Sequence, residues 1–293
     1  MKSLVTGANG QLGSEIIRQL IKNGELEENI LGVDIDILDI TDKEAVEKAV
    51  NDFMPDVIYH CAAWTAVDKA EEDEHKEKVY AVNVDGTKYL SEAAKKIDAT
   101  IIYISTDYVF DGTGTGEIYP DDQANPQSYY GQTKYLGEKI VVENPKHYIV
   151  RTTWVFGNGA NIVRSAYKFS QIKDELTFVN DQVASPTYTK DLARLLIDMA
   201  NSDKYGTYHA TNEGFCNLQE LAQFTAATSG SKAVVNGTTT KEFYQNQTGK
   251  NIATRPLNSR LNKDKLEENG FKRLPNWKDA ITEYIELLKK EEI

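Results

Sequence analysis

Cysteine is nearly absent from this 293-residue chain: Cys61 and Cys216 lie far apart, outside any CxxC spacing. That excludes a disulfide-built scaffold and a structural zinc site, and it fits a reducing compartment. Histidine is scarce as well; four scattered copies make no histidine-rich metal centre, and a need for a divalent metal stays open. Basic residues are outnumbered 33 to 45, and a net charge of −12 excludes nucleic acid as a partner, since phosphate binding needs a basic face. Any anionic ligand must then be held by local donors such as helix N-termini and single arginines. Long hydrophobic runs are missing too. None approaches the roughly 20 apolar residues that span a bilayer, and Met1 to Thr6 run into a glycine-rich turn with no room for a signal peptide. A cytoplasmic protein that enters no membrane is expected, as a monomer or a homodimer.

What is present is an alternation of apolar runs. Residues 1–6 read as a strand, followed by Gly7-Ala8-Asn9-Gly10-Gln11-Leu12-Gly13 and then by Ile16, Ile17, Leu20 and Ile21 at helical spacing. Glycines at 7, 10 and 13 let the backbone turn tightly, approach a pyrophosphate and pack helix on strand, with free helix N–H groups facing the anion. The spacing is GxxGxxG rather than GxGxxG; its place between a strand and an amphipathic helix favours dinucleotide binding over an ordinary turn. A second strand, Ile30 to Val33, ends at Asp34, about 20 residues beyond the last glycine. That carboxylate suits the two ribose hydroxyls of NAD and repels the 2′-phosphate of NADP, and no arginine in 35–40 offsets it, so the residues lean toward NADH.

Thr41 with Glu44 forms a capping box for a helix to about residue 53. The strand Val57 to Cys61 runs into Ala62-Ala63-Trp64-Thr65-Ala66-Val67-Asp68, small residues suited to a cofactor crossing the sheet edge. A long helix over 71–97 follows, with Glu71 to Glu77 as a solvated face. The strand Ile101 to Ser105 ends in Thr106-Asp107-Tyr108, where a strand-end hydroxyl faces ligand or caps the next turn. After a polar loop over 111–127 comes Tyr130-Gly131-Gln132-Thr133-Lys134. On a helix over 129–143 its phenol and ammonium leave the same face one turn apart, and the cation favours the phenolate. Alone, that pair is common on helix surfaces.

Beyond a strand at Tyr148 to Val150 and Arg151-Thr152-Thr153-Trp154 the pattern is less regular. A strand near 176–180, helices near 189–200 and 217–229, and a last helix from about Asn276 are expected, the last with Trp277, Ile281, Tyr284, Leu287 and Leu288 on one stripe. Residues 230–252, rich in Thr, Asn, Gly and Lys, read as a mobile stretch. Strand–helix alternation calls for a Rossmann-like, doubly wound parallel α/β sheet with a smaller C-terminal substrate-binding domain. The expected division is 1–157 and 158–293, with segments near 176–212 as candidates to rejoin the first part.

Glycine turn, ribose carboxylate, strand-end threonine, tyrosine and lysine together describe hydride transfer to a carbonyl. Thr106 and Tyr130 hold the developing alkoxide and Tyr130 supplies its proton. The glycine turn, Cys61 to Asp68, Ser105-Thr106-Asp107-Tyr108-Val109-Phe110-Asp111-Gly112, Tyr130 to Lys134, Arg151 to Trp154 and Arg255-Pro256-Leu257-Asn258-Ser259 resemble an extended short-chain dehydrogenase/reductase. More narrowly, the chain resembles the dTDP-4-dehydrorhamnose reductases over nearly its whole length. That resemblance implies NAD(P)H-dependent reduction of the 4-keto group of dTDP-4-dehydro-L-rhamnose, the last step to the dTDP-rhamnose used in cell-wall polysaccharide. It implies catalysis by Thr106, Tyr130 and Lys134, with Gly7, Asn9, Gly10, Gln11, Leu12, Gly13, Asp39, Ile40, Ala62, Ala63, Thr65, Tyr130 and Lys134 holding NADPH or NADH. Val67, Asp68, Thr106, Asp107, Tyr108, Tyr130 and Trp154 are implied around the sugar of a dTDP-sugar substrate, with Gln182, Asn258 and Arg260 nearer the nucleotide.

Two positions depart from the family pattern: Ala184 replaces a glycine, which strains the loop if φ is positive there, and Ile162 stands where an aromatic residue is usual. A 4,6-dehydratase needs an acid after Asp107, and Tyr108 is neutral. Another sugar-nucleotide reductase, an epimerase that retains its NAD, and a non-catalytic subunit like that of S-adenosylmethionine synthetase are the alternatives. Intact Thr106, Tyr130 and Lys134 argue against the last.

Overall fold

Leu4 and Val5, or Ile58 and Tyr59, are neighbours in sequence and both fully buried, which requires a strand covered on two faces. Each belongs to such a strand in the computed structural model, which describes residues 1–245 and 251–291. Strands β1 (Ser3–Thr6), β2 (Ile30–Val33), β3 (Val57–His60), β4 (Thr100–Thr106) and β5 (His147–Thr152) are joined by a further strand, Gly206–His209. All six are parallel, in the order β2, β1, β3, β4, β5, Gly206–His209. One face carries Val5, Val57, Tyr59, Ile102 and Val150 against Leu12, Ile16 and Leu20 of α1 (Gln11–Lys22) and Leu192, Leu195, Leu196 and Met199 of the helix Thr189–Ala200. The other carries Leu4, Ile58, Ile101, Tyr103 and Ile149 against Val46 and Val50 of α2 (Lys43–Phe53) and Leu90 of α4 (Thr87–Lys96). Because β1 pairs with both β2 and β3, the winding reverses between those two, and a crevice opens beyond the carboxyl ends of β1 and β3.

The long helix expected over 71–97 is broken in the middle. Helix α3 (Asp73–Tyr80) passes into one π turn, Ala81–Gly86, before α4. A π turn adds a residue and rotates the side chains after it, and such turns concentrate at functional sites. Helix α5 (Tyr129–Val141) matches expectation; Ser128 caps it by accepting from Gly131 N at 3.1 Å. Glu71, assigned to a solvated face, also serves α5, accepting from Tyr129 N at 2.7 Å where the helix dipole favours an anion.

Two further expectations are corrected, and the stretch 230–252 holds elements that its composition hid. The cap of α2 is Asp42, which accepts from Ala45 N at 3.1 Å, while the Thr41 hydroxyl is committed to Asp39. Within 230–252, Val234–Thr238 forms a strand parallel to Glu175–Val179 and Thr240–Gln245 a helix anchored by Asp181; residues 246–250 lie outside the described residues. Composition hid the strand because Val235 is its one buried residue. The last helix, Trp277–Glu291, buries Trp277, Ile281, Tyr284, Ile285 and Leu288, and Leu287 at the stripe's edge stays 42% exposed. Among the described residues, no helix is long and apolar enough to cross a membrane.

Behind the carboxyl ends of β4 and β5 lies a buried ion pair. Arg151 donates to Glu138 from Nε and Nη2, each at 2.8 Å, Ser105 adds a hydroxyl at 2.6 Å, and Arg151 Nη1 reaches Pro120 O at 2.9 Å. Both side chains are buried, so removing one partner strands a charge. Arg151→Met should therefore lower unfolding free energy by about 3–5 kcal/mol in urea denaturation; a loss below about 1 kcal/mol would mean that Glu138 finds water.

Candidate active site

Backbone contact builds the cofactor side. Gly7 has φ +66°, and a side chain there would meet Ala62 N at 2.8 Å; at Gly13 it would meet Gly7 O at 2.2 Å. Only glycine permits this turn, which leaves the start of α1 facing the crevice, as a pyrophosphate requires. Asn9 N donates to Asp34 Oδ2 at 3.0 Å and Ile35 N to Oδ1 at 2.9 Å, so the carboxylate closes the turn from β2. Gln11 and Leu12 diverge. Leu12 is buried in the core of α1, whereas Gln11 Nε2 reaches Ala160 O at 3.2 Å and its Oε1 accepts from Asn161 at 3.3 Å. Asp39 is exposed and held below the ordinary carboxylate range by the amide and hydroxyl of Thr41; Ile40 is buried against Gly86. Ala62 and Ala63 are half-buried beside the turn and Thr65 is exposed.

A buried chain of polar groups joins this turn to α5. Ala62 N donates to Thr6 Oγ1 at 3.2 Å, and Thr6 Oγ1 lies 2.9 Å from His60 Nδ1. His60 Nε2 lies 3.0 Å from Thr87 Oγ1, which donates to Asn83 O at 2.8 Å. Burial pushes His60 down to about 3, so it is neutral, and the donor order assigns its proton to Nε2. Asn83 sits on the π turn. It accepts from Trp64 N at 2.8 Å and donates to Thr133 Oγ1 at 3.0 Å, between Tyr130 and Lys134.

The reactive hydroxyls converge at the end of β4. Thr106 stands beside the Tyr130 phenol, Thr106 Oγ1 donates to Asp107 Oδ1 at 3.0 Å, and Tyr108 N donates to Thr106 Oγ1 at 3.3 Å. Tyr108 and Tyr130 meet edge to face, centroids 5.5 Å apart, in a cluster that includes Val67 and Trp64. Lys134 is buried with Nζ 4.0 Å from the Tyr103 ring centroid. The expected depression of the Tyr130 pKa is reversed: burial raises the phenol, opposed by the Thr106 hydroxyl. Burial likewise pushes Lys134 down to about 7, with Glu138 opposing. Both groups sit out of water, and desolvation outweighs a single charge.

A sheet edge with this hydroxyl pair beside a glycine turn narrows the comparison with known proteins. The profile of the RmlD substrate binding domain matches residues 1–290. A spore coat polysaccharide biosynthesis protein, SpsK, from Bacillus subtilis is 38% identical, covering 97% of both chains. The crystal structure of a dTDP-4-dehydrorhamnose reductase from Clostridium acetobutylicum has a TM-score of 0.92 at 43% identity, covering 99% of this chain and 100% of that one. That of the Bacillus anthracis dTDP-4-dehydrorhamnose reductase in complex with NADP has a TM-score of 0.90 at 34% identity, covering 98% and 100%. The chain belongs to the dTDP-4-dehydrorhamnose reductase family.

In this family member the remaining candidate residues fall into two groups. Asp68 takes both Nη atoms of Arg255, at 2.9 and 2.7 Å, and Arg255 stacks on Tyr244 at 4.6 Å. That pair ties the loop carrying Val67 to the late segment 253–255, beside Tyr108, whose phenol Arg255 influences. Farther along, Gln182 is buried against Thr240, Val183 pairs with Asn258, and Asn258 binds Gly116 O at 2.9 Å and Arg260 at 2.7 Å. These residues share one loop cluster, reached from Tyr130 through Asp107 and Ser259. Trp154 is partly buried against the cluster of Phe156, Tyr188 and Trp277, with φ +41°.

Neither family departure carries strain. Ala184 lies outside the positive-φ residues, buried in a short strand paired with Cys216. Ile162 opens the helix Ile162–Ile172, which Asn161 caps, and packs beside Phe156 and Tyr284.

Sequence reasoning missed Asn83 and Glu138, and placed Ser259 only within the stretch from Asn258 to Arg260. Glu138 had a signal, since it lies four residues beyond Lys134 on α5; Asn83 had none, because a mid-helix asparagine reads as solvent-facing until the π turn is seen.

Gly131 fixes the approach of α5 to this site: a side chain there would meet Tyr108 O at 2.3 Å. In an open helix Gly→Ala gains about 1 kcal/mol. Gly131→Ala should instead lose about 1–3 kcal/mol in thermal unfolding, because the backbone clash wins; a gain would show that the helix stands off from Tyr108.

Proposed function

We propose that this protein is a cytoplasmic NAD(P)H-dependent reductase that converts the 4-keto group of dTDP-4-dehydro-L-rhamnose to the alcohol of dTDP-L-rhamnose. The observation that carries this reading is the Thr106–Tyr130 hydroxyl pair at the sheet edge, followed by the neutral Tyr108 where a dehydratase needs an acid. The named activity of the Clostridium relative, at 43% identity over 99% of this chain, supports the substrate. The fit to a dinucleotide rests on the Gly7–Gly13 cradle, which a Cβ would fill.

In this reading residues 1–157, with the helix Thr189–Ala200 and strand Gly206–His209, receive the cofactor, and the rest frames the sugar nucleotide. When bound, the reduced nicotinamide supplies hydride. Tyr130, neutral because it is buried, donates its proton to the oxygen of the ketone as charge develops there, and Thr106, whose own hydrogen goes to Asp107, stands beside that phenol and orients it. Lys134, pushed down to about 7 when free, regains its proton beside an anionic ligand and compensates the charge left on Tyr130. Val67 and Tyr108 shape the apolar wall, and the Asp68–Arg255 pair closes its rim.

The purified enzyme should oxidise NADPH or NADH in the presence of dTDP-4-dehydro-L-rhamnose, read as loss of reduced-nicotinamide absorbance; no turnover with either cofactor would sink the assignment. Tyr130→Phe should cut kcat by roughly 10²-fold or more, and near-normal turnover would remove Tyr130 as the acid.

Cofactor choice turns on Asp34. Its carboxylate already holds Asn9 N, and the Bacillus anthracis relative binds NADP, so Asp34 is assigned as a discriminator rather than a bar to NADPH. Asp34→Ala should raise the kcat/KM ratio of NADPH over NADH, and an unchanged ratio would clear Asp34 of any part in selectivity.

A further inference from the structure

Ser259 reaches the reacting hydroxyls from 152 residues away in sequence. Its Oγ donates to Asp107 Oδ2 at 2.6 Å, and Asp107 Oδ1 accepts from Thr106 Oγ1 at 3.0 Å. All three residues are at most 7% exposed. Hydrogen accounting then fixes directions. A serine hydroxyl and a threonine hydroxyl each have one hydrogen, and both are committed to the Asp107 carboxylate. Tyr108 N donates to the same Thr106 Oγ1 at 3.3 Å, so the place of that oxygen beside the Tyr130 phenol is set from two sides.

We propose that Ser259 is a positioning residue for the reaction: by holding Oδ2 of Asp107 it keeps Oδ1 on Thr106, and so fixes where the Thr106 hydroxyl stands beside Tyr130. The residue lies on the segment that pairs with Val183, since Ser259 N donates to Val183 O at 2.8 Å. Main-chain pairing thus fixes its backbone independently of the hydroxyl, and a substitution at the side chain removes the hydroxyl alone. The carboxylate is otherwise enclosed. Burial pushes Asp107 up to about 6, against the hydrogen bonds from Ser259 and Thr106, and the titratable groups facing it are the phenols of Tyr108 and Tyr130. Among the hydrogen bonds that favour its ionised form, that from the Ser259 hydroxyl comes first.

The inference rests on the reductase reading, and its test separates the two. In the free enzyme, with no sugar nucleotide, an NMR titration of the Asp107 carboxyl should show its midpoint moving to higher pH in Ser259→Ala, because a donor to the charged form is lost; an unmoved midpoint overturns the proposal. In turnover, Ser259→Ala should lower kcat about tenfold, the scale of one hydrogen bond to a charged group, with KM for NADPH unchanged and the acidic limb of the kcat profile moved to higher pH. Unchanged kcat and limb overturn it. A double variant, Ser259→Ala with Asp107→Asn, should be no slower than Asp107→Asn alone. Multiplying losses would show that Ser259 does not act through Asp107.

Discussion

Everything catalytic in this fold hangs on one buried line of hydrogen bonds, from Thr6 through His60 and Thr87 to Asn83 and Thr133. Its members come from β1, β3, α4, the π turn and α5, and none of the five is more than 1% exposed. Buried polar groups are costly unless paired, so a displaced member leaves neighbours unsatisfied, and the elements move together or not at all. The line fixes the distance between the glycine turn and the Tyr130–Lys134 helix, the one dimension that a cofactor and a reacting ketone must share.

Burial also sets the electrostatics. The chain carries a net charge of −12, yet Asp107, Tyr130 and Lys134 owe their shifted pKa values first to desolvation. In each case burial shifts the balance toward the neutral form. A charged ligand therefore meets groups that gain or redirect protons on its arrival, and the overall field contributes mainly to solubility.

The half of the fold built on period and punctuation was legible in the sequence. Apolar runs and glycine spacing placed β1 to β5, α1 and α5, because both sheet faces are buried and each strand must then read as a hydrophobic run. Within the candidate site, Thr106, Tyr108, Tyr130 and Val67 come together as expected. What stayed hidden depends on contacts between distant segments. Val234–Thr238 is a strand because Glu175–Val179 lies beside it, and Glu71 serves α5 because the fold brings it there. Trp154, expected at the sugar, also packs partly buried against the cluster of Phe156, Tyr188 and Trp277, at a positive φ that no spacing announces. The pKa of Tyr130 went the other way for a similar reason: spacing sees Lys134, but only the structure shows how far both are from water.

Gln11 links the cofactor turn to the far end of the chain. It touches Ala160 and Asn161, and Asn161 is bonded at 3.0 Å to the Tyr284 hydroxyl of the last helix. Such a connection is reciprocal: whatever free energy a ligand at the turn delivers to that helix, the helix returns in the affinity of the turn. The C-terminal helix is in this sense a counterweight, since its hold on Gly157 and Asn161 bears on the same contacts that Gln11 of the turn makes.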